Sequence, residues 1–359
     1  MSLGPAASAS GPACMESKAV SNVTESLSSG GLMKALRLDS YDASTLREVE
    51  VAKPSPQQGQ VLVKIKASGV NPIDYKIRLG QAPYAMPELP AIIGTDLAGV
   101  VEAVGEGVTQ FQVGDEVYGL TGGVRGLQGS LAQYAAVDAN LLAIKPRNLS
   151  MREAAALPLV TLTAWEGLVD KAAVKAGDRV LVHGGAGGVG HVAVQLAKAF
   201  GADVYATVSP AKQSIIESYG ATSIDYQSVG VNEYVAQHTN GDGFDIIYDT
   251  VGGESLDLSF QAIRPYGHVV SCAAFSSHNL APGSLRCMTL SGVFVLLPML
   301  SGKGRSHHGE ILRRAAQLAE AGQLKPLVDE FRFTLSQAQT AHEMLERGDV
   351  RGKAVIDID

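Results

Sequence analysis

The stretch LVHGGAGGVGHVAVQLAKAFGADVYATVSPAKQ, Leu181 to Gln213, decides how the rest of the 359-residue chain is read. It enters through a β-rich run, RVLVH, breaks into glycines, and resumes with apolar residues at helical spacing before a second β-rich run, DVYATV. Within the break, Gly185-Ala-Gly187-Gly188-Val-Gly190 spells G-x-G-x-x-G between a predicted strand and a predicted helix. That context is the one in which the motif cradles a dinucleotide. Gly185 is expected to make the tight turn, Gly187 to let backbone approach a pyrophosphate, and Gly190 to let the helix pack close to the strand. Phosphates would then sit on the free amides of Gly187, Gly188, Val189 and Gly190 at the helix start. In a chain with 40 glycines a plain structural turn is the competing reading, and the flanking strand and helix weigh against it.

The end of the stretch narrows the ligand. A site for NAD carries Asp or Glu at the end of its second strand, where the carboxylate binds the ribose 2′-hydroxyl. Here that strand ends in TVSPAK, with Ser209 in place of the acid and Lys212 following. A hydroxyl and an ammonium suit a 2′-phosphate that a carboxylate would repel, so the expected cofactor is NADPH. The alternatives are that Ser209 only caps the helix ahead of Pro210 and that Lys212 is a solvated surface charge.

Outward from this stretch, β runs alternate with helical ones as far as GHVVSCAA, and the strands are continuous rather than alternating in hydrophobicity. Strands buried on both faces look like this, which predicts a doubly wound parallel sheet over residues 158–299. Upstream, MKALRL, GQVLVKIKASGV, AGVVEAVG and GDEVYGL are short β runs broken by Gly and Pro, predicting a mostly β unit over 33–157. Ser150 and Glu153 form a capping box that opens a helix ending near Pro158. Beyond residue 300 come two amphipathic helices and a closing strand, GKAVIDI. The fold class is α/β. Residues 1–32 are small, polar and aperiodic, and are expected to be an unstructured leader.

Composition excludes several classes of function. A net charge of −7 argues against nucleic acid or an anionic membrane as partner. GVFVLLPML, Gly292 to Leu300, is too short for a membrane span; it reads equally as a core strand or as an apolar surface for a homodimer. Cys14, Cys272 and Cys287 form no metal-binding or disulfide spacing and suit a reducing, cytoplasmic setting.

The motifs GVNPIDYKIRLG, PAIIGTDLAGVVEAVGEGVTQFQVGDEVYG, AAALPLVTLTAWEGL, VLVHGGAGGVGHVAVQLAKAFGA and FDIIYDTVGG, in this order, resemble the medium-chain dehydrogenase/reductase superfamily. Within it they are similar to the zinc-independent quinone oxidoreductase branch that includes zeta-crystallin, over about Met33 to Asp359. The resemblance implies a GroES-like, mostly β catalytic domain built from 33–157 and 300–359, with a Rossmann domain inserted and the active site between them. Zinc-dependent members carry ligands where this chain has Asn71, Thr95 with Asp96, and about Leu159, and four structural cysteines where it has LTGGVRGLQGS. Amide, hydroxyl and Leu side chains do not replace thiolate and imidazole, so no metal is expected. His183 and the His307-His308 pair are read as structural or solvated.

By the same resemblance Asn71 faces nicotinamide and substrate, with Lys76 standing where many members have Tyr, as in plant enone and alkenal reductases, and with Tyr75 just before it. The competing reading of Lys76 is a surface charge, and Asp74 reads as a turn or cap residue. Tyr226 is implied to stack near the adenine ribose phosphate. Thr250, Val251 and Gly252, with Ser271, Cys272 and Ala273, are implied to line the nicotinamide, and Lys353 to reach the cofactor. Each of these has a packing or turn role as its alternative. The expected reaction is NADPH-dependent hydride transfer to a quinone or α,β-unsaturated carbonyl, whose delocalised oxyanion needs only hydrogen-bond donors such as Lys76, Tyr75 and Asn71. An enoyl thioester reductase, an alcohol dehydrogenase and a non-enzymatic, crystallin-like NADPH binder are the alternatives.

Overall fold

In the computed structural model, which describes residues 31–359, the chain starts as a hairpin: β1 (Leu32–Leu38) pairs antiparallel with β2 (Leu46–Ala52). The leader read at 1–32, Cys14 included, lies outside the described residues except for its last two positions. Next come β3 (Gln60–Gly69), the short helix α1 (Pro72–Arg78), β4 (Asp96–Val104), β5 (Glu116–Leu120), β6 (Tyr134–Asp138) and β7 (Leu142–Ile144). The helix α2 (Met151–Ala155) opens on the expected capping box, with the Ser150 N–H donating to Glu153 at 2.8 Å and the Glu153 N–H to Ser150 at 3.2 Å. It stops at Ala155, and Pro158 then takes the first position of a second helix, α3 (Pro158–Trp165), where a missing N–H is harmless.

A regular alternation follows: β8 (Arg179–His183), α4 (Gly188–Ala199), β9 (Asp203–Val208), α5 (Gln213–Ser218), β10 (Thr222–Asp225), α6 (Val231–Thr239), β11 (Phe244–Asp249), α7 (Glu254–Ala262), β12 (Ile263–Ser271), α8 (Ala281–Ser284) and β13 (Thr289–Gly292). All neighbouring strands are parallel, in the order β10-β9-β8-β11-β12-β13. This is a doubly wound sheet whose order reverses between β8 and β11, the place where such sheets open a ligand crevice. Val180, Leu181 and Val182 of β8 are all buried because helices cover both faces. GVFVLLPML does not continue as a strand: after β13, Val293, Val295, Leu296 and Met299 turn inward, Leu297 is exposed, and α9 (Leu297–Ser301) begins.

The last segment, α10 (Arg305–Glu320), β14 (Phe333–Thr334), α11 (Ala338–Arg347) and β15 (Val355–Asp357), returns to the first unit. There β15 pairs antiparallel with β3, completing a sheet ordered β14-β15-β3-β4-β5-β7, with β6 also on β3. The parallel sheet is therefore inserted into the mostly β unit.

Candidate active site

The glycine turn after β8 differs from expectation in one detail. The left-handed residue is Gly184, at φ +71°, and not Gly185. Gly185 is needed for another reason, since a Cβ there would lie 2.5 Å from the Ala206 Cβ on β9. Gly190 fits its expected role: a Cβ would lie 2.0 Å from the Gly184 carbonyl oxygen, so α4 can approach the turn only as glycine. Gly187 caps α4 without a side chain, leaving the first amides of the helix free of intrahelical partners.

These amides border a cavity of about 950 Å³ at the sheet's switch point. Of the residues singled out from the sequence, Gly187, Gly188, Val189, Ser209, Lys212, Tyr226, Thr250, Val251, Gly252 and Lys353 line it. Ser209 makes no side-chain capping bond, which leaves its hydroxyl available, and Tyr226 is 59% exposed just beyond β10. Gly185 and Gly190 support the turn from behind. Ser271, Cys272 and Ala273 also lie behind the wall. Ser271 Oγ donates to Asp249 at 2.7 Å, the Ala273 N–H donates to Ser271 at 3.0 Å, and burial pushes the Cys272 thiol up to about 12. Asp249 in turn accepts the Val251 and Gly252 N–H groups at 3.2 and 3.0 Å, so this trio holds the turn that does line the cavity.

Sequence reasoning missed His183, Thr207, Tyr234 and Leu258, which also line the cavity. His183 was read as structural, yet it ends β8 at the wall: Nδ1 meets Thr207 Oγ1 at 3.1 Å and the buried Nε2 has no partner. Burial lowers its pKa to about 4, keeping the ring neutral. The only sequence signal was its place as the last residue before the glycines.

Behind the opposite wall, sheet register assembles a buried ionic cluster. In the antiparallel β3–β15 pair Val355 faces Gly69, and continuing that register brings Lys353 to Asn71, while Asp96 faces Gly69 from β4. Asn71 Nδ2 donates to Thr95 Oγ1 at 3.0 Å and to Asp96 at 2.9 Å, and its Oδ1 accepts from Lys353. The Lys353 ammonium also donates to the Val70 carbonyl at 2.7 Å. Asp74 accepts the Asn71 N–H at 2.8 Å and the Thr95 hydroxyl at 3.0 Å, which is the capping role its sequence suggests. Asp96 accepts the Leu159 N–H at 3.1 Å and so ties β4 to the first turn of α3. Burial raises Asp74 to about 6 and Asp96 to about 7, opposed by Lys353, whose own pKa burial lowers.

This geometry corrects the expectation for Asn71. Both amide hydrogens are spent within the cluster and the side chain is fully buried, so it positions Lys353 and cannot donate to a substrate. Tyr75 and Lys76, half-buried on α1, do not line the cavity, whereas Val70 and Pro72 just before them do. Burial and Glu346 on α11 push the Tyr75 hydroxyl upward.

A second set of bonds joins the nucleotide helix to the closing segment. His191 on α4 contacts the Gly187 carbonyl through Nδ1 at 2.9 Å and accepts the Leu327 N–H on Nε2 at 3.1 Å. Burial holds its pKa down to about 4, so Nδ1 carries the single proton and donates. Gln195, one turn on, exchanges bonds of 2.9 and 2.8 Å with the Lys325 backbone. The Leu327 carbonyl accepts the Lys353 N–H at 2.9 Å, so a continuous path of hydrogen bonds runs from the glycine turn to Lys353.

Two family models match the chain: "Alcohol dehydrogenase GroES-like domain" over residues 57–147 and "Zinc-binding dehydrogenase" over 219–356. The 2-methylene-furan-3-one reductase of Solanum lycopersicum is 37% identical, over 94% of this chain and 82% of its own length. The chloroplastic NADPH-dependent alkenal/one oxidoreductase of Arabidopsis thaliana is 34% identical, over 93% and 82%. The chain belongs to the medium-chain dehydrogenase/reductase superfamily. A crystal structure of an alcohol dehydrogenase superfamily protein from Novosphingobium aromaticivorans superimposes with a TM-score of 0.89 at 50% identity, covering 91% of this chain and all of that one. The protein is an oxidoreductase of this family, with its GroES-like and Rossmann parts as described. The family's zinc does not fit the donor set here. Asn71, Thr95 and Asp96 bond to one another, Leu159 offers only its N–H, and among the described residues no group of three or more His, Cys, Asp or Glu gathers to hold a metal.

Proposed function

We propose that the enzyme transfers hydride from NADPH to an α,β-unsaturated carbonyl or quinone without zinc. The observation that carries this is the wall contributed by the catalytic unit and α3. Val70, Pro72, Leu159, Val160 and Leu345 are apolar, and Lys353 is the one ionisable residue among the cavity-lining positions of that side. Oxidising an alcohol requires a group that takes the hydroxyl proton, and the one ionisable group of this wall, Lys353, is already engaged with the Val70 carbonyl and Asn71 Oδ1. A conjugated acceptor asks less, because its developing charge is already delocalised. The names of the two plant relatives point the same way.

When bound, the nicotinamide supplies the hydride. The chain's part is to orient it and keep water out. The α4 amides and Gly187–Val189 take the pyrophosphate, and the Asp249–Gly252 turn shapes the pocket beside it. The buried cluster fixes Val70–Pro72, and we assign donation to the acceptor oxygen to Tyr75 and Lys76, which lie on α1 outside the cavity lining and must turn toward Pro72 to reach it. Ser209, Lys212 and Tyr226 take the 2′-phosphate. Replacing Lys212 with Glu should therefore weaken NADPH binding at least tenfold, the loss of about 1.5 kcal/mol expected for one charge-assisted contact, and leave NADH within about twofold. Titration of both cofactors by fluorescence checks this, and equal effects would refute it.

The reaction is tested by following NADPH oxidation with 1-octen-3-one, 9,10-phenanthrenequinone, crotonyl-CoA and a simple ketone, with and without chelator. Turnover of the first two that survives chelation is the expected result. Turnover of crotonyl-CoA alone would assign a thioester reductase, and tight NADPH binding with no oxidation would assign a non-catalytic role. We further propose a cytoplasmic homodimer: Cys272 and Cys287 are unpaired, β13 ends the parallel sheet, and Leu290 on it is exposed. No helix among the described residues is long and apolar enough to cross a membrane.

A further inference from the structure

His191, fully buried one turn into α4, lines no part of the cavity, yet its two ring nitrogens bond to opposite units of the chain. Nε2 accepts the Leu327 N–H at 3.1 Å, which leaves the ring proton on Nδ1 to donate to the Gly187 carbonyl at 2.9 Å. The same carbonyl accepts the His191 backbone N–H at 3.0 Å. Both lone pairs of one carbonyl are therefore taken by one residue. A trans peptide is planar, with its C=O and N–H pointing opposite ways. Fixing the Gly187 carbonyl thus also fixes the direction of the Gly188 N–H, the first free amide at the helix start.

On its other side the ring holds the segment that carries Lys353. The Leu327 carbonyl accepts the Lys353 N–H at 2.9 Å, and the Asp329 N–H donates to the Lys353 carbonyl at 2.8 Å, so residues 327–329 grip Lys353 from both sides. The Lys353 ammonium in turn holds the Val70 carbonyl and Asn71 Oδ1. Gln195, one turn after His191, separately anchors the Lys325 backbone, so His191 can be changed without releasing the segment. Burial of an imidazole is offset only by its two side-chain bonds, so the effect of His191 lies in direction more than in stability.

We propose that His191 is a positioning residue that sets the pyrophosphate amides of one unit in register with the Lys353 wall of the other, so that a bound dinucleotide stiffens the acceptor side of the cleft. The proposal rests on the NADPH reading only through the pyrophosphate that NADPH and NADH share. Two variants separate the two bonds. Asn places its amide nitrogen where Nδ1 stands and is too short to reach Leu327. Gln places its amide oxygen where Nε2 stands and gives up the Gly187 bond. His191→Asn should lose chiefly in kcat at saturating cofactor, by about fivefold, and His191→Gln chiefly in NADPH affinity, by about fivefold. Hydrogen exchange supplies a readout that needs no turnover. NADPH should slow amide exchange of residues 325–329 in the wild type, although none of them lines the cavity, and should do so much less in either variant. Losses of the same kind in both variants, losses that merely follow the thermal midpoint, or NADPH protection that is absent from the wild type or survives both substitutions overturn the proposal. Failure of the cofactor reading shows separately, as wild-type protein that binds neither NADPH nor NADH.

Discussion

Replacing Lys353 with Met will destabilise the protein by about 3–5 kcal/mol at pH 8 and by much less near pH 5. The substitution leaves Asp74 and Asp96, both buried, without their ammonium partner. The sign follows from proton linkage. In the native chain these carboxyls sit at about 6 and about 7, above the ordinary 3.8, so the folded state holds protons that the unfolded state releases. Their contribution is therefore complete below about pH 4 and fades as pH rises through 6 to 7. Without Lys353 both carboxyls shift further up, so the loss extends to higher pH. In acid the variant protonates them and recovers. Urea unfolding of both proteins at the two pH values measures this, and an equal loss at both would show that the carboxylates do not depend on Lys353.

Gly190→Val carries the second large effect. The first atom of the new side chain would meet the Gly184 carbonyl oxygen at 2.0 Å and its carbon at 2.8 Å, both backbone, so neither can rotate away. The start of α4 must withdraw from β8, costing about 1–3 kcal/mol of packing and spoiling the amide cradle. NADPH affinity should fall by about a hundredfold or more, equivalent to roughly 3 kcal/mol, and NADH affinity should fall in parallel because both share the pyrophosphate. A matched Gly187→Ala variant, whose Cβ meets the Gly184 carbonyl oxygen at 3.2 Å and needs it to give by only a few tenths of an ångström, should lose far less. Calorimetric titration of the three proteins decides it, and similar losses in both variants would remove the steric argument.

What the sequence by itself determined is whatever neighbouring residues decide together. The strand, glycine turn and helix around 185–190, the Ser150–Glu153 box, the parallel alternation and the missing acid after β9 were all legible, because each depends on residues within a turn or two. Even here tertiary packing adjusted the detail: the close approach of Ala206 explains Gly185, and the left-handed φ belongs to Gly184. Only the tertiary structure decided which way side chains face. Asn71 turned inward because sheet register sets Lys353, 282 positions away, against it. His183, at the end of β8, and Tyr234, on the first turn of α6, reached the cavity for the same kind of reason, since a crevice at a switch point is built from strand ends and the helix starts after them, which no local pattern brings together. Local chemistry named the cofactor, and long-range pairing chose the residues that meet it.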